Sequence, residues 1–497
     1  MKKTTISPIF QFDNTYINLP KNFYQKINPV PVKKPRLLKL NHELLDYLNL
    51  KKDSLETDLG ISILSGNKIP SNTTPLAMVY AGHQFGNFVN QLGDGRAVLL
   101  GEIIAKNGER YDLQLKGSGK TIFSRQGDGR SPLGPVIREY IISEAMHHLG
   151  IPTTRSLSII STGEVVEREK IEPGGILARV SSSHIRIGTF EFFRAKKDFS
   201  SVKKLTDYTI KRHFPEILSA KDQYKIFLDK IIESQAKLVA KWMNVGFIHG
   251  VMNTDNISIS GQTIDYGPCA FMNNFDPNTV YSFIDVYGRY SYGNQPKIML
   301  WNLSKFAECI SFLINQNEDK ASKIILESLS KFPQLFDKFW MKGISEKIGL
   351  LQNTKENREV IEKFLEIMFE QKTDFTLTFR KLSESIDNNE RKKAFLYLFK
   401  NSKTINNWYN DWIQRLKKQN SSKEEISKKM KNRNPVFIPR NHLVEKAISE
   451  AVDKCEFSMV DDLVEVLKRP FESNNKLFNL SDPPKANEDI KNTFCGT

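Results

Sequence analysis

The residues with most to offer chemically lie between Phe247 and Pro268, which read Phe-Ile-His-Gly-Val-Met-Asn-Thr-Asp-Asn-Ile-Ser-Ile-Ser-Gly-Gln-Thr-Ile-Asp-Tyr-Gly-Pro. Phe247 and Ile248 suit a short buried strand. Ile257 and Ile259 alternate with Ser258 and Ser260, Gly261 supplies a turn, and Thr263-Ile264 returns, a pattern that predicts a tight hairpin. With the turn at residues 260–261, Asn256 falls opposite Asp265. An amide oxygen and a carboxylate oxygen side by side, with Asp255 next to them, suit a hard divalent cation such as Mg²⁺, which completes its shell with water and phosphate oxygens. Any one of these residues alone reads better as part of an ordinary turn; the constellation is what points to metal.

A second group suits phosphate. Residues 97–104 and 111–116 alternate as two strands joined at Asn107-Gly108. Tyr111, Leu113 and Leu115 share one face, so Asp112, Gln114 and Lys116 share the other. Around this pair lie Gln91-Leu-Gly-Asp-Gly-Arg96, Gly117-Ser-Gly-Lys-Thr121 and a second Gly-Asp-Gly-Arg at 127–130. Glycines there let backbone N–H groups reach phosphate oxygens, and arginines add charge-assisted bonds. Gly119-Lys-Thr121 imitates the end of a P-loop, but position 114 is Gln where that motif needs Gly, so the P-loop is rejected. A helix from Gly134-Pro135 to Gly150 carries Glu139 one turn in. A strand lysine followed by a helix glutamate is how a kinase fold aims its lysine at phosphates. His-Gly, five intervening residues and Asn256, then Ile-Asp-Tyr-Gly, likewise has the layout of a kinase catalytic loop and metal-binding segment. Where small-molecule kinases of that layout carry a base Asp, this chain has Val251. Arg179 and Arg186 flank Ser181-Ser-Ser183; phosphate contact and solvent exposure both fit them locally.

The elements that must position these groups are legible in outline. The chain has 497 residues, 39% hydrophobic and 26% charged, enough for two or three packed lobes. No apolar run approaches a membrane span. The first residues show no secretory or transit pattern, so a cytoplasmic location is expected. Cys269, Cys309, Cys455 and Cys495 are far apart, which argues against a zinc site or disulfide framework; Cys495 reads equally as a redox-active or an inert thiol. The formal charge of +15 comes mostly from lysines interleaved with acids, which reads as solvated helix faces and not as a nucleic-acid surface.

Residues 1–75 are expected to be an irregular wrapping segment with one short helix near residues 42–50. Residues 76–190 form a β-rich lobe, including strands at 157–160 and 176–180. Residues 191–300 form a catalytic and metal-binding core, entered by a helix through Ile231, Gln235, Leu238 and Trp242. Residues 301–480 are almost wholly helical, with Pro333 as a break. Residues 417–433 read either as a mobile connection or as a charged helix. Residues 481–497 are expected to be a flexible tail.

Taken together, Tyr80-Ala-Gly-His-Gln-Phe-Gly86, Gln91 to Arg96, Leu115-Lys-Gly-Ser-Gly119, Arg125-Gln-Gly-Asp-Gly-Arg130, Ser143-Glu-Ala-Met-His147, Gly150-Ile-Pro-Thr-Thr-Arg155, the 249–256 loop, Asp265-Tyr-Gly-Pro268, Gly288-Arg-Tyr290, Asn434-Pro435 and Arg440-Asn441 resemble the selenoprotein O family of protein adenylyltransferases. That resemblance implies an α+β, protein-kinase-like bilobal fold with a helical C-terminal extension. It implies ATP bound inverted compared with kinases, so that AMP passes to a Ser, Thr or Tyr hydroxyl of a protein and pyrophosphate leaves. By the same likeness Lys116, held by Glu139, contacts phosphates, and Gly93, Gly95, Arg96, Asp128, Gly129, Arg179 and Arg186 line the nucleotide site. Asn256 and Asp265 would ligate Mg²⁺ (or Mn²⁺), and Asp255 would be the base. It also suggests redox control through a Cys269–Cys495 bridge. Partners would then be ATP and protein substrates, with neither a specific nucleic acid nor a membrane, and the chain acting as a monomer. A kinase-fold phosphotransferase using the γ-phosphate, and a silent ATP-binding protein, are the alternatives.

Overall fold

The computed structural model describes residues 9–352 and 354–493. One antiparallel sheet dominates the first half. The two central strands are Ala97–Ile104 and Arg110–Lys116, joined through Asn107 and Gly108 and paired so that Ala97 faces Lys116. Across the sheet the order is Tyr24–Lys26, Leu76–Met78, Ala97–Ile104, Arg110–Lys116, Ile171–Ser181, Arg155–Glu167 and Arg36–Leu40, with Ser131–Pro132 added beside Ile171–Ser181. The period of two holds: Tyr111, Leu113 and Leu115 join an apolar cluster, while Asp112, Gln114 and Lys116 make polar contacts on the other face.

The N-terminal segment is more than a wrapping. It supplies the Tyr24–Lys26 and Arg36–Leu40 strands and three short helices, because Leu44, Leu45, Leu48, Ile63 and Leu64 pack into the same cluster as Leu113 and Leu115.

The Leu133–His148 helix is apolar on two sides because it has two neighbours. Ile159 and Leu177 of the sheet meet it on one side, and residues of Asn441–Asp453 and Ser458–Leu467 on the other. The C-terminal helices are thus part of the scaffold that places Glu139.

The remainder is helical, with Gln223–Asn244 packed against Gln295–Ile314 and Phe332–Lys347. Pro333 opens the last of these helices, where its missing N–H is harmless. Of the two readings for residues 417–433, the charged helix holds over Lys423–Lys431, begun by a capping box between Ser422 and Glu425. Two further helices, Phe375–Glu384 and Ser458–Leu467, fall within the 301–480 stretch that reads as almost wholly helical.

Two expectations fail in instructive ways. The 257–264 hairpin does not form a ladder with itself. The chain turns there, with Gly261 N–H donating to Ser258 O at 3.2 Å. Its arms, however, pair elsewhere: Ile259 N–H with Ile185 O (3.0 Å) and Ile187 N–H with Ile257 O (3.0 Å) on one side, Thr263 N–H with Pro152 O (2.9 Å) and Thr154 N–H with Thr263 O (2.9 Å) on the other. The segment is stitched between two distant stretches, one carrying Arg186 and the other following the Glu139 helix. The tail is also not free as far as it is described. Thr493 N–H donates to Tyr281 O at 2.7 Å and its Oγ1 to Pro268 O at 2.7 Å. Cys269 is buried, and Cys495 lies outside the described residues.

Candidate functional site

A cavity of about 480 Å³ is lined jointly by the sheet, the Leu133–His148 helix and the 247–268 segment. Gly95, Arg96, Lys116, Glu139, Arg179, Arg186, Asp255, Asn256 and Asp265 all line it. They come from stretches up to about 170 residues apart, and four local devices bring them together.

The first is the ladder just described, which sets Arg186 beside Asp265. The second is His249, fully buried, whose Nε2 pairs with Ile264 O at 2.9 Å while its backbone N–H donates to Gln295 Oε1 at 3.0 Å. The third is Arg138, which donates to Gly267 O (3.2 Å), Cys269 O (2.8 Å) and Asn441 Oδ1 (2.7 Å), clamping the chain just after Asp265 to the Glu139 helix. The fourth is the backbone around Asp255. Asn253 Oδ1 accepts from Tyr290 OH (2.6 Å) and Phe85 N–H (3.1 Å), and Thr254 Oγ1 accepts from His83 N–H (2.7 Å) and donates to Glu191 (2.5 Å).

Asp265 sits at the centre, in the left-handed region with φ +62°, a conformation that non-glycine residues rarely adopt. Its Oδ1 lies 2.6 Å from Arg179 Nη1 and 3.1 Å from Lys116 Nζ, and its Oδ2 lies 2.5 Å from Arg186 Nη1. Burial alone would raise this carboxyl, but the charges of Arg186, Arg179 and Lys116 outweigh it and hold Asp265 well below the usual carboxylate range. Glu139 receives Lys116 at 2.5 Å and Arg179 at 3.1 Å, and those two charges likewise overcome the effect of its burial and lower it. Three cations and two carboxylates therefore form a closed network at the floor of the cavity. Such a network holds each side chain in place by several bonds at once.

Asp255 is different. Gln84 Nε2 approaches its Oδ2 only at 3.4 Å, and its Oδ1 is buried with no hydrogen-bond partner among the described residues. Burial, partly offset by Arg186, pushes its carboxyl up to about 7. A carboxylate with a free buried oxygen and an affinity for protons near neutrality can accept a proton from a hydroxyl. Asn256 donates through Nδ2 to Val251 O at 3.0 Å, which fixes the amide in the cavity wall. Asp265, Asn256 and the free Asp255 oxygen thus offer hard oxygen ligands in one wall. That is the donor chemistry of Mg²⁺ or Mn²⁺ and not of a soft metal.

The two Gly-Asp-Gly-Arg copies part company. In the first, Gly95 and Arg96 line the cavity, and Gly93 makes the turn at φ +78° against Phe123. In the second, Gly129 packs on Gly119, Asp128 pairs with Arg168 at 2.9 Å, and Arg130 bonds Val30 O and Pro31 O at 3.0 Å. Gly93, Asp128 and Gly129 do not line the cavity. Asp94, Gln84 and Tyr80 also line the cavity, though the sequence marks none of them as a site residue. Gln114 Oε1 accepts from Arg179 at 2.6 Å and its Nε2 donates to Asp94 Oδ2 at 3.1 Å, which orients Arg179 from behind. Burial, opposed by Arg186 and the Met78 N–H, pushes Asp94 up to about 6. Tyr80 lies under the Arg186 guanidinium, 4.8 Å from ring centroid to Cζ. The alternation that put Gln114 beside Lys116 was a usable signal for that residue; Asp94 was hidden in what looks like a turn.

A family profile described as "Protein adenylyltransferase SelO" matches residues 9–468. Curated relatives named "Protein nucleotidyltransferase YdiU" are similar along nearly their whole length. The one from Rhodopseudomonas palustris is 48% identical over 488 residues, covering 98% of this chain and 99% of its own. That from Maridesulfovibrio salexigens is 49% identical over 492 residues, covering 99% of each, and that from Bacillus mycoides 49% over 488, covering 98% of each. With the profile spanning most of the chain and these identities over full lengths, the chain belongs to the SelO family of protein adenylyltransferases.

Proposed function

We propose that this protein transfers AMP from ATP to Ser, Thr or Tyr hydroxyls of other proteins, on a protein-kinase-like bilobal scaffold in which ATP lies inverted. The observation that carries the reading is the division of labour between two neighbouring aspartates: Asp265 bonded to three cations with one acceptor position of Oδ2 still open, and Asp255 with a free buried oxygen. A hydroxyl oxygen attacks the α-phosphorus, its proton passes to Asp255, and the bond from the α-phosphorus to the bridging oxygen breaks to release pyrophosphate. Lys116, Arg179 and Arg186 stabilise the charge that gathers on the leaving group, and Glu139 keeps Lys116 and Arg179 from folding away. Mg²⁺ or Mn²⁺, held by Asp265 and Asn256, would supply further neutralisation of the phosphates. Val251 in the usual place of a kinase base, with Asp255 four residues on, favours a changed reaction over ordinary phosphoryl transfer. Gly95 and Arg96 lie where the nucleotide would be gripped; Asp128 and Gly129 could reach it only from outside the cavity wall.

The test is parallel incubation with α-labelled and γ-labelled ATP, with intact-mass analysis of the enzyme and of lysate proteins. Label from the α position, with the mass of AMP added, supports the reading. Label from the γ position alone would replace it with a kinase. No label from either, with ATP still bound and Asp265→Ala behaving as wild type, would leave a silent binder.

A further inference from the structure

A second cavity, of about 340 Å³, shares no lining residue with the first. Five of its lining side chains are cationic, Lys237, Lys241, Lys342, Lys347 and Arg433, against one carboxylate, Glu346. Glu346 is already engaged by Arg433 at 2.9 Å. Lys237 and Lys342 are exposed at the rim and form no ion pair among the described residues. Lys241 donates to Gly150 O, a neutral partner. Burial, together with the charges of Lys237 and Arg433, lowers its affinity for protons, which places those three cations within mutual electrostatic reach.

The most buried of the five cations is the telling one. Lys347 is 3% exposed and meets no carboxylate within salt-bridge distance among the described residues. Its Nζ stands 4.3 Å from the Phe379 ring centroid and 5.4 Å from that of Phe375. A buried lysine without an anion is rare, since charged side chains are almost never fully buried unless paired. A concave wall of one sign also concentrates its field on whatever enters. The one charged partner the cavity lacks is an anion, and the imbalance calls for several negative charges in a small volume.

We propose that this cavity binds a small anion carrying two or more phosphate groups, held among Lys237, Lys241, Lys342 and Lys347. Each phosphate brings about one and a half to two negative charges at neutral pH, so two or three of them match the excess. The volume is within the range of small-molecule sites. The inference does not depend on the reaction at the other cavity and would stand if that reaction were phosphoryl transfer.

The experiment is calorimetric titration of the full chain with inorganic tripolyphosphate in magnesium-free, low-salt buffer. It compares wild type, the rim variant Lys237→Glu/Lys342→Glu, Lys347→Met, and Lys116→Met as a control in the other cavity. The expected result is a binding step weakened at least tenfold in the rim variant and in Lys347→Met, yet retained in Lys116→Met. The rim residues are exposed, so that variant remains informative even if Lys347→Met folds poorly. Isotherms of the rim variant that superimpose on wild type would overturn the proposal. So would sulfate competing at the same concentration as tripolyphosphate, which means screening and not a site. Binding of a short RNA with none of tripolyphosphate would also overturn it, in favour of a nucleic-acid surface.

Discussion

Lys347→Met should make the protein more stable at neutral and acidic pH, and the gain should fade as pH rises. Burial lowers the Lys347 ammonium from 10.5 to about 7. At 1.36 kcal/mol per unit, that fall corresponds to about 4–5 kcal/mol of folding free energy lost when the group is charged in both states. The two phenylalanine rings return some of this, on the order of 0.5–2 kcal/mol for a desolvated cation over an aromatic face. A net gain of about 2–4 kcal/mol is therefore expected for a side chain of similar length and no charge. Below pH 7 folded and unfolded chains both hold the proton and the whole cost is present. Between 7 and 10.5 the unfolded chain keeps its proton while the folded one releases it, so wild-type stability climbs; above 10.5 neither state is charged and the difference is gone. Urea unfolding at pH 6.5, 8 and 10 of wild type and variant reads this directly, as a midpoint difference that is large at 6.5 and small at 10. A difference that stays flat across that range, or a variant less stable than wild type at pH 6.5, would refute the reasoning, because the ammonium would then have a partner that compensates its burial.

Three further outcomes follow from the site and its frame. Asp255→Asn should slow AMP transfer by about 10²–10⁴-fold, the usual contribution of a positioned base, while the KM for ATP changes little; initial rates over a range of ATP concentrations check it. Gly82→Ala would place a Cβ 2.5 Å from Asp255 Oδ1 and 2.8 Å from its Cβ, so Asp255 must shift; a misplacement near 1 Å costs on the order of 10²-fold in rate, and ATP binding measured by calorimetry should survive. Asp374→Ala would strand Arg440, 1% exposed and bonded to Asp374 at 2.8 and 3.1 Å; removing one member of a buried pair costs about 3–5 kcal/mol, visible as a lower denaturant midpoint.

What could be read from residues alone divides by the range of the interaction that decides it. The Ala97–Ile104 and Arg110–Lys116 strands were legible because alternation and an Asn-Gly turn are local, and Lys116 with Gln114 on one face followed from that. The helix carrying Glu139 was legible from its proline and glycine bounds. The 257–264 hairpin was misread because Ile257 and Ile259 alternate as a strand must, yet their partners are Ile185 and Ile187, some 70 residues earlier. Pairing choice is a tertiary matter that alternation does not settle. Asp94 is hidden between two glycines, because its use depends on Gln114 and Met78, which only the folded sheet brings near. The Phe375–Glu384 helix falls in the stretch that reads as almost wholly helical, and Asp374, whose carboxylate caps Leu377 N–H, marks its start. The basic cavity was wholly invisible: its five cations come from three separate stretches, and each one alone looks like a lysine or arginine facing water.

The bond from Thr493 to Pro268 has a practical side. Pro268 is three residues past Asp265, so a fusion, epitope tag or protease cut placed just beyond Thr493 pulls on a contact that reaches the candidate site. A reporter attached there would be expected to disturb nucleotide handling, and an enzyme judged sluggish in such a format would be telling us about the attachment.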